Sequence, residues 1–246
     1  MSKTKKRKLK VGFDFDGVVA YNPLRIVRPI LHLGKKIFLR PKELSFFCPQ
    51  NAWQRFCWQI IHESSFFPAP GFKLLKKLLK EGKIEGYLLT SRYDHLEDQF
   101  YRWLKKHDVD KLFKSYHLNK KDEQPHKFKE RTIKKLKLDL FLDDNWDIVN
   151  YLNSKWDVRN EKWDTDNLNS RTFNVRKNKN LTSKNRKIKN SRSKTSHISH
   201  LTSKMPEIHW IYNILDQGIK YPRKHPHLLS FLKEIIERFE IKGVSS

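Results

Sequence analysis

Asp14 and Asp16 stand two residues apart in the run Lys10-Val-Gly-Phe-Asp-Phe-Asp-Gly-Val-Val19, where a short apolar segment meets a glycine. Val11 to Phe15 carry strand propensity and are too few for a helix bounded by glycines. The spacing therefore predicts a strand with both carboxylates at its carboxyl end. Open α/β sheets place their ligands at that end. One carboxylate there can attack a phosphorus or carbonyl centre while its neighbour moves a proton. The alternative is a plain acidic turn, because Asp-Gly is common in turns.

Two later segments repeat the pattern. Ile84-Glu-Gly-Tyr-Leu-Leu-Thr-Ser-Arg92 is an apolar strand ending in two hydroxyls, Thr90 and Ser91, and a guanidinium. Leu138-Asp-Leu-Phe-Leu-Asp-Asp-Asn145 is a third, ending in the acid pair Asp143 and Asp144. Lys129 opens a helical stretch, Lys129 to Leu136, that leads into this third strand. An attacking carboxylate, a hydroxyl, a lysine and an acid pair suited to a metal make up the parts of phosphoryl transfer. For Asp143 and Asp144 the alternative is a charge pair at a helix N-terminus, since Asn145 begins a helical pattern with Ile148, Val149 and Leu152.

In order and character these segments resemble the haloacid dehalogenase (HAD) superfamily of aspartyl-phosphate phosphatases, over about residues 9 to 153. The resemblance implies a doubly wound parallel α/β core with a small helical cap inserted after the first strand. It implies Asp14 as nucleophile, Asp16 as general acid and base, and Thr90, with Ser91 beside it, as phosphate holder. Lys129 would neutralise the nucleophile and the transferring phosphoryl group. Asp14, the backbone carbonyl of Asp16, and Asp143 would hold Mg²⁺, with Asp144 assisting. Lys120, Lys121 and Lys127 rival Lys129 for the lysine role, and spacing to the acid pair favours Lys129. The chemistry fits independently of the resemblance. A phosphate dianion repels a carboxylate until a cation and a lysine screen it, and hard oxygen donors suit Mg²⁺. An acid at position 16 points to hydrolysis, because it can protonate a poor leaving group and then deprotonate water.

The chain of 246 residues carries a formal net charge of +25, unevenly spread. Residues 1–10 hold six Lys or Arg and residues 167–206 hold eleven, with no acid in either. The second segment, rich in Asn, Ser and Lys, lacks the apolar surface to offset ordering entropy and reads as a disordered insert. Both segments could attract nucleic acid or an anionic surface. The domain expectation is a basic tail at 1–8, a core at 9–20 and 71–155, a cap at 21–70, the basic insert at 156–206 and a C-terminal segment at 207–246. Cys48 and Cys57 have neither disulfide-framework nor zinc spacing, and no stretch approaches a transmembrane helix or a signal peptide. A cytoplasmic protein with reduced thiols is expected.

The cap segment is rich in aromatics, and its apolar spacing predicts helices around Ile26–Leu33 and Trp53–Ile61, with most of the aromatics forming the cap's own core. Near the C-terminus Leu228, Leu229, Leu232, Ile235, Ile236 and Phe239 form one helical stripe, to pack on the core or to lie on a membrane or a partner. His209, His225 and His227 show no ligand spacing with nearby acids, so they are not expected to bind metal. The sequence thus predicts a Mg²⁺-dependent phosphomonoesterase acting on a small phosphate monoester, with nucleoside monophosphates first because the motif wording resembles the deoxyribonucleotidase-like branch. The alternatives are a polynucleotide-end phosphatase and a catalytically idle nucleic-acid-binding protein on the same fold.

Overall fold

The computed structural model describes residues 7–21, 23, 44–63, 65–156, 206–212, 216–241 and 243. The expected first cap helix near 26–33, residues 1–6 of the basic tail and nearly all of the basic insert lie outside these described residues. By contact the chain divides into a unit of 1–152 and 206–246 and a second unit of 153–205, of which only 153–156 are described.

The first aspartate run forms strand β1 (Leu9–Asp14), which is buried from Val11 onward. Burial of successive residues on both faces marks a strand in the middle of a covered parallel sheet. β1 pairs in parallel with β4 (Ile84–Tyr93) on one side and β6 (Leu140–Asp143) on the other. β5 (Ser115–Asn119) extends the β4 side, and β7 (Glu207–Ile211) and β8 (Lys224–His225) extend the β6 side. The order β5-β4-β1-β6-β7-β8 is parallel throughout. The chain winds outward from β1 to β4 and β5, then returns to β6, so the winding reverses between β1 and β6. In open α/β sheets ligands sit at such a reversal, outside the carboxyl ends of the strands.

Side-chain alternation assigns the two faces of the sheet. Val11, Phe13 and Phe15 face a core shared with α2 (Phe72–Lys80), α3 (Glu97–Lys106) and α6 (Leu228–Arg238). There Phe15 meets Phe100 and Trp103 edge to face, and Phe13 meets Phe231. Gly12 and Asp14 face the other side, where a Cβ on Gly12 would strike Leu138 and Phe141. The buried residues Phe128, Lys129 and Ile133 of α4 (Pro125–Leu136) and Ile148, Val149 and Leu152 of helix α5 (146–156) stand outside the first core cluster. Proline at the first position of α4 starts the helix before Lys129, which therefore sits in its second turn rather than opening it.

The C-terminal segment departs from expectation in two respects. Its helix α6 packs as the stripe predicts, with Leu228, Leu232 and Ile235 buried, but Phe231, absent from the predicted stripe, is buried with them. The segment also adds two strands to the sheet, so it is part of the core and not an accessory to it.

Residues between Tyr21 and Phe67 leave and rejoin the core through a two-residue antiparallel pair, β2 (Ala20–Tyr21) with β3 (Phe67–Pro68). Within them α1 (Ala52–Glu63) forms as the apolar spacing predicts, but none of its residues is fully buried. Trp53, Phe56, Phe66 and Phe67 are exposed, against the expectation that such aromatics make a core of the cap. A single amphipathic helix cannot bury its own apolar stripe, and the sequence stretch expected to supply a partner helix lies outside the described residues. Cys48 and Cys57 are half-buried free thiols. Among the described residues no helix is long and apolar enough to cross a membrane.

Candidate active site

Strand endings bring the acids together. Asp14 ends β1, Asp143 ends the adjacent β6, and Asp144 follows it. One carboxylate oxygen from each of the three lies within 4.8 Å of the others, and all three residues are buried. Lys129 reaches between the strands from α4. Its Nζ stands 3.0 Å from Asp14 Oδ2 and 2.7 Å from Asp143 Oδ2, with the lysine only 1% exposed. Spacing to the acid pair favours Lys129 over Lys120, Lys121 and Lys127, and Lys129 is the lysine found against Asp14 and Asp143. Lys120 is spent on an exposed pair with Glu97.

The turn after β1 is shaped for close approach. Gly17 has φ of +84°, and a Cβ there would stand 2.1 Å from Asp144 Oδ2, so only glycine lets the acid pair close on the turn. On the β6 side the Asn145 N–H donates to Asp143 Oδ1 at 2.9 Å, and the Asn145 side chain accepts from the Asp147 N–H at the start of α5. The helix-start alternative for the acid pair is thus partly realised, but Asn145 does the capping and both aspartates remain in the cluster.

Electrostatics sharpen the picture. Burial pushes the Asp14 carboxyl well above the ordinary carboxylate range; Lys129 opposes the shift, while Asp143, Asp144 and Asp16 add to it. Burial raises Asp143 too, against the pull of Lys129. For Lys129, burial would lower the ammonium, but Asp14 and Asp143 outweigh it and hold it above the usual lysine value. Lys129 pairs with two of the three buried carboxylates, and ionising all three would leave negative charge in excess. An all-oxygen donor set of this kind fits a hard divalent cation such as Mg²⁺, which would relieve that excess.

Asp16 is engaged differently. The Arg92 guanidinium donates to it twice, Nε to Oδ2 and Nη2 to Oδ1, both at 2.8 Å, and the Ser65 hydroxyl donates to Oδ1 at 2.8 Å. Burial alone would raise this carboxyl. The charge and hydrogen bonds of Arg92, with help from His62 and Ser65, instead hold it well below the usual range. Arg92 also donates to the His62 carbonyl at 3.1 Å and lies over the Phe15 ring at 4.8 Å. The clamp on Asp16 thus contains Ser65 and the end of α1, both from the inserted segment.

Thr90 is buried near the end of β4, and its Oγ1 accepts from the Arg92 N–H at 3.2 Å. The Ser91 hydroxyl is buried and makes no hydrogen bond among the described residues, so no contact ties it to the acid cluster. Arg92 was legible as a strand-end guanidinium, yet its pairing with Asp16 was missed. No signal in the sequence singles out Ser65 or the His62 carbonyl, whose role depends on where the insert rejoins the core.

No protein-family model matches the chain, and no curated protein matches it. Solved structures do. A HAD-superfamily hydrolase from Ehrlichia chaffeensis is 12% identical, with 59% of this chain and 84% of that chain covered and a TM-score of 0.35. CbbY from Rhodobacter sphaeroides, solved with phosphate, is 14% identical over 56% and 79%, with a TM-score of 0.35. A HAD family enzyme from Bacteroides thetaiotaomicron, solved as a magnesium complex, is 18% identical over 61% and 90%, with a TM-score of 0.34.

Proposed function

We propose that this chain is a HAD-like, Mg²⁺-dependent phosphomonoesterase that works through an aspartyl-phosphate on Asp14. The observation that carries the reading is the Lys129 ammonium bridging Asp14 and Asp143 at the ends of adjacent parallel strands, with Asp144 in the same cluster. Asp14, Asp143 and Asp144 would hold Mg²⁺, which when bound supplies positive charge against the phosphate dianion and keeps Asp14 ionised.

Asp14 attacks the phosphorus, forming an Asp14 O–P bond as the P–O bond to the leaving group breaks. Lys129 offsets the charge that builds on the transferring phosphoryl oxygens. Thr90, near the end of β4, would hold the phosphate. Asp16 gives a proton to the departing oxygen, then takes one from the water that displaces the Asp14 carboxylate from phosphorus and releases inorganic phosphate. In the clamped arrangement Asp16 is a poor proton donor, so Arg92 has to let go of it for this step.

A small phosphate monoester is the substrate class, with a nucleoside monophosphate foremost. A panel of aryl, sugar and nucleoside monophosphates, assayed with and without Mg²⁺, tests the reading. Turnover of at least one nucleoside monophosphate only with the divalent ion is the expected result, and no Mg²⁺-dependent turnover of any member would refute it.

A further inference from the structure

A second cluster, built on the strands beyond β6, shares no residue with the aspartate cluster and plays no part in the chemistry above. His209 on β7 is fully buried and His225 on β8 is 4% exposed, and their rings stack with Nδ1 of His209 2.9 Å from Nε2 of His225. Glu234, on α6, brings a carboxylate oxygen to 3.6 Å from Nδ1 of His225. One donor atom from each of the three residues lies within 4.8 Å of the others. In sequence these histidines show no ligand spacing with nearby acids, whereas the fold brings Glu234 beside them. The pairing of β7 with β8 and the return of α6 onto the sheet join residues that no local spacing connects. Only His227 fits the earlier exclusion, because it caps α6 by accepting from the Ser230 N–H.

We propose that His209, His225 and Glu234 form a binding site for a transition-metal ion of the zinc class, which fastens β7, β8 and α6 together. Two imidazoles and a carboxylate are donors that suit zinc.

The outer partners point the same way. His209 Nε2 has no hydrogen-bond partner among the described residues, and the nearest carboxylate is Glu207, whose Oε2 stands 3.9 Å away. Glu207 is itself held by both ends of the Arg238 guanidinium, at 2.6 and 2.9 Å. A metal-binding imidazole commonly turns its second nitrogen toward a fixed carboxylate, which sets the tautomer. Here that arrangement would leave His209 Nδ1 free to bind the ion and give Nε2 a partner. Zinc bonds of about 2.0–2.1 Å require the three donors to draw closer than they now stand. The Glu234 side chain is 45% exposed and would have to swing in, and its solvent-facing side leaves room for a water as fourth ligand.

Tag-free full-length protein, stripped with a chelator and then kept in saturating Mg²⁺ to occupy the aspartates, is titrated with Zn²⁺ against a colorimetric competitor. Parallel Co²⁺ samples are read for the intense visible bands of a four-coordinate site. The proposal expects one Zn²⁺ per chain, tetrahedral Co²⁺ bands, and affinity weakened at least about tenfold by Glu234→Gln, since a lost ligand should cost no less than a lost outer partner. His225→Gln should abolish binding. If that buried substitution fails to fold, the half-exposed Glu234→Gln decides alone. The proposal is overturned if no Zn²⁺ binds under Mg²⁺ saturation, or if Glu234→Gln leaves affinity and spectrum unchanged.

Discussion

Arg92 grips Asp16 with two parallel hydrogen bonds of 2.8 Å, and the two side chains are only 3% and 11% exposed. A bidentate guanidinium–carboxylate pair of this kind fixes both position and charge state. It holds ionised the one carboxylate that the proposed mechanism needs to protonate. Arg92 also holds the His62 carbonyl at the end of α1, so one guanidinium ties Asp16 to the inserted segment.

Removing the arginine should expose what the pair contributes. In Arg92→Met, Asp16 keeps its burial and loses its counter-charge, a change that costs about 3–5 kcal/mol when a buried pair is broken. The sign with pH follows from the two shifts. In the wild type the Asp16 value is depressed, so its stabilisation is present above the ordinary carboxylate value near about 4 and fades only as pH falls toward the depressed value. In the variant only His62 and Ser65 still oppose burial, the largest influence on Asp16, so its value rises and stability is lost as pH rises through it. Calorimetric melting should therefore find the deficit of Arg92→Met larger near about pH 8 than near about pH 5. An equal deficit at both would mean that Asp16 is not held ionised by Arg92.

The proton-transfer role of Asp16 is read by varying the leaving group. Asp16→Asn keeps the nucleophile but removes the acid, so it should slow a sugar phosphate by about a hundredfold or more and an aryl phosphate much less. Steady-state kcat/KM on the two substrates makes the comparison. Equal losses would take Asp16 out of the proton path.

Cation binding should stabilise the folded protein in a pH-dependent way. The raised Asp14 and Asp143 carboxyls favour the protonated form in the metal-free chain. Their contribution is thus fully present below about 4 and lost as pH rises through the raised values. Mg²⁺ binds the ionised cluster and reverses that loss. At about a hundred times its dissociation constant it should add about 2.7 kcal/mol, with a larger rise in melting temperature near about pH 8 than near about pH 5. Asp143→Asn should abolish most of the rise. A Mg²⁺ effect that is independent of pH and survives Asp143→Asn would place the ion elsewhere.

Gly17 offers a backbone test. Gly17→Ala puts a methyl against the Asp144 carboxylate and forces an L-residue to φ of +84°. Strain of about 1–3 kcal/mol and displacement of Asp144 should lower the melting temperature and weaken Mg²⁺ binding together. Unchanged Mg²⁺ affinity would show that Asp144 does not depend on the shape of this turn.

The strands at 9–14, 84–93 and 140–143 were legible because each is a short apolar run ending in polar chemistry, and their parallel pairing places Asp14 and Asp143 as the motifs suggest. Lys129 was legible by its spacing to Asp143, although the start of its helix was set by Pro125. The contacts that tune the site were not legible. Arg92 meets Asp16 across 76 residues and Ser65 meets it across 49, distances over which no periodicity runs. The histidine pair was hidden for a related reason, since only the register of β7 with β8 brings Ile211 beside His225 and sets His209 near it. Exposure of Trp53 and Phe56 on α1 was equally invisible, because the spacing of an amphipathic helix fixes its apolar face but not what covers it.

The most direct test of the account is whether phosphate passes through Asp14. Enzyme and Mg²⁺ are mixed with a radiolabelled phosphate monoester, quenched in acid within a single turnover, and the protein is digested and mapped. The account predicts a hydroxylamine-labile acyl phosphate on the peptide containing Asp14, absent without Mg²⁺ and absent in Asp14→Asn, whose turnover should fall by about a thousandfold or more. Turnover with no labelled protein, or label and activity that survive Asp14→Asn, would contradict it.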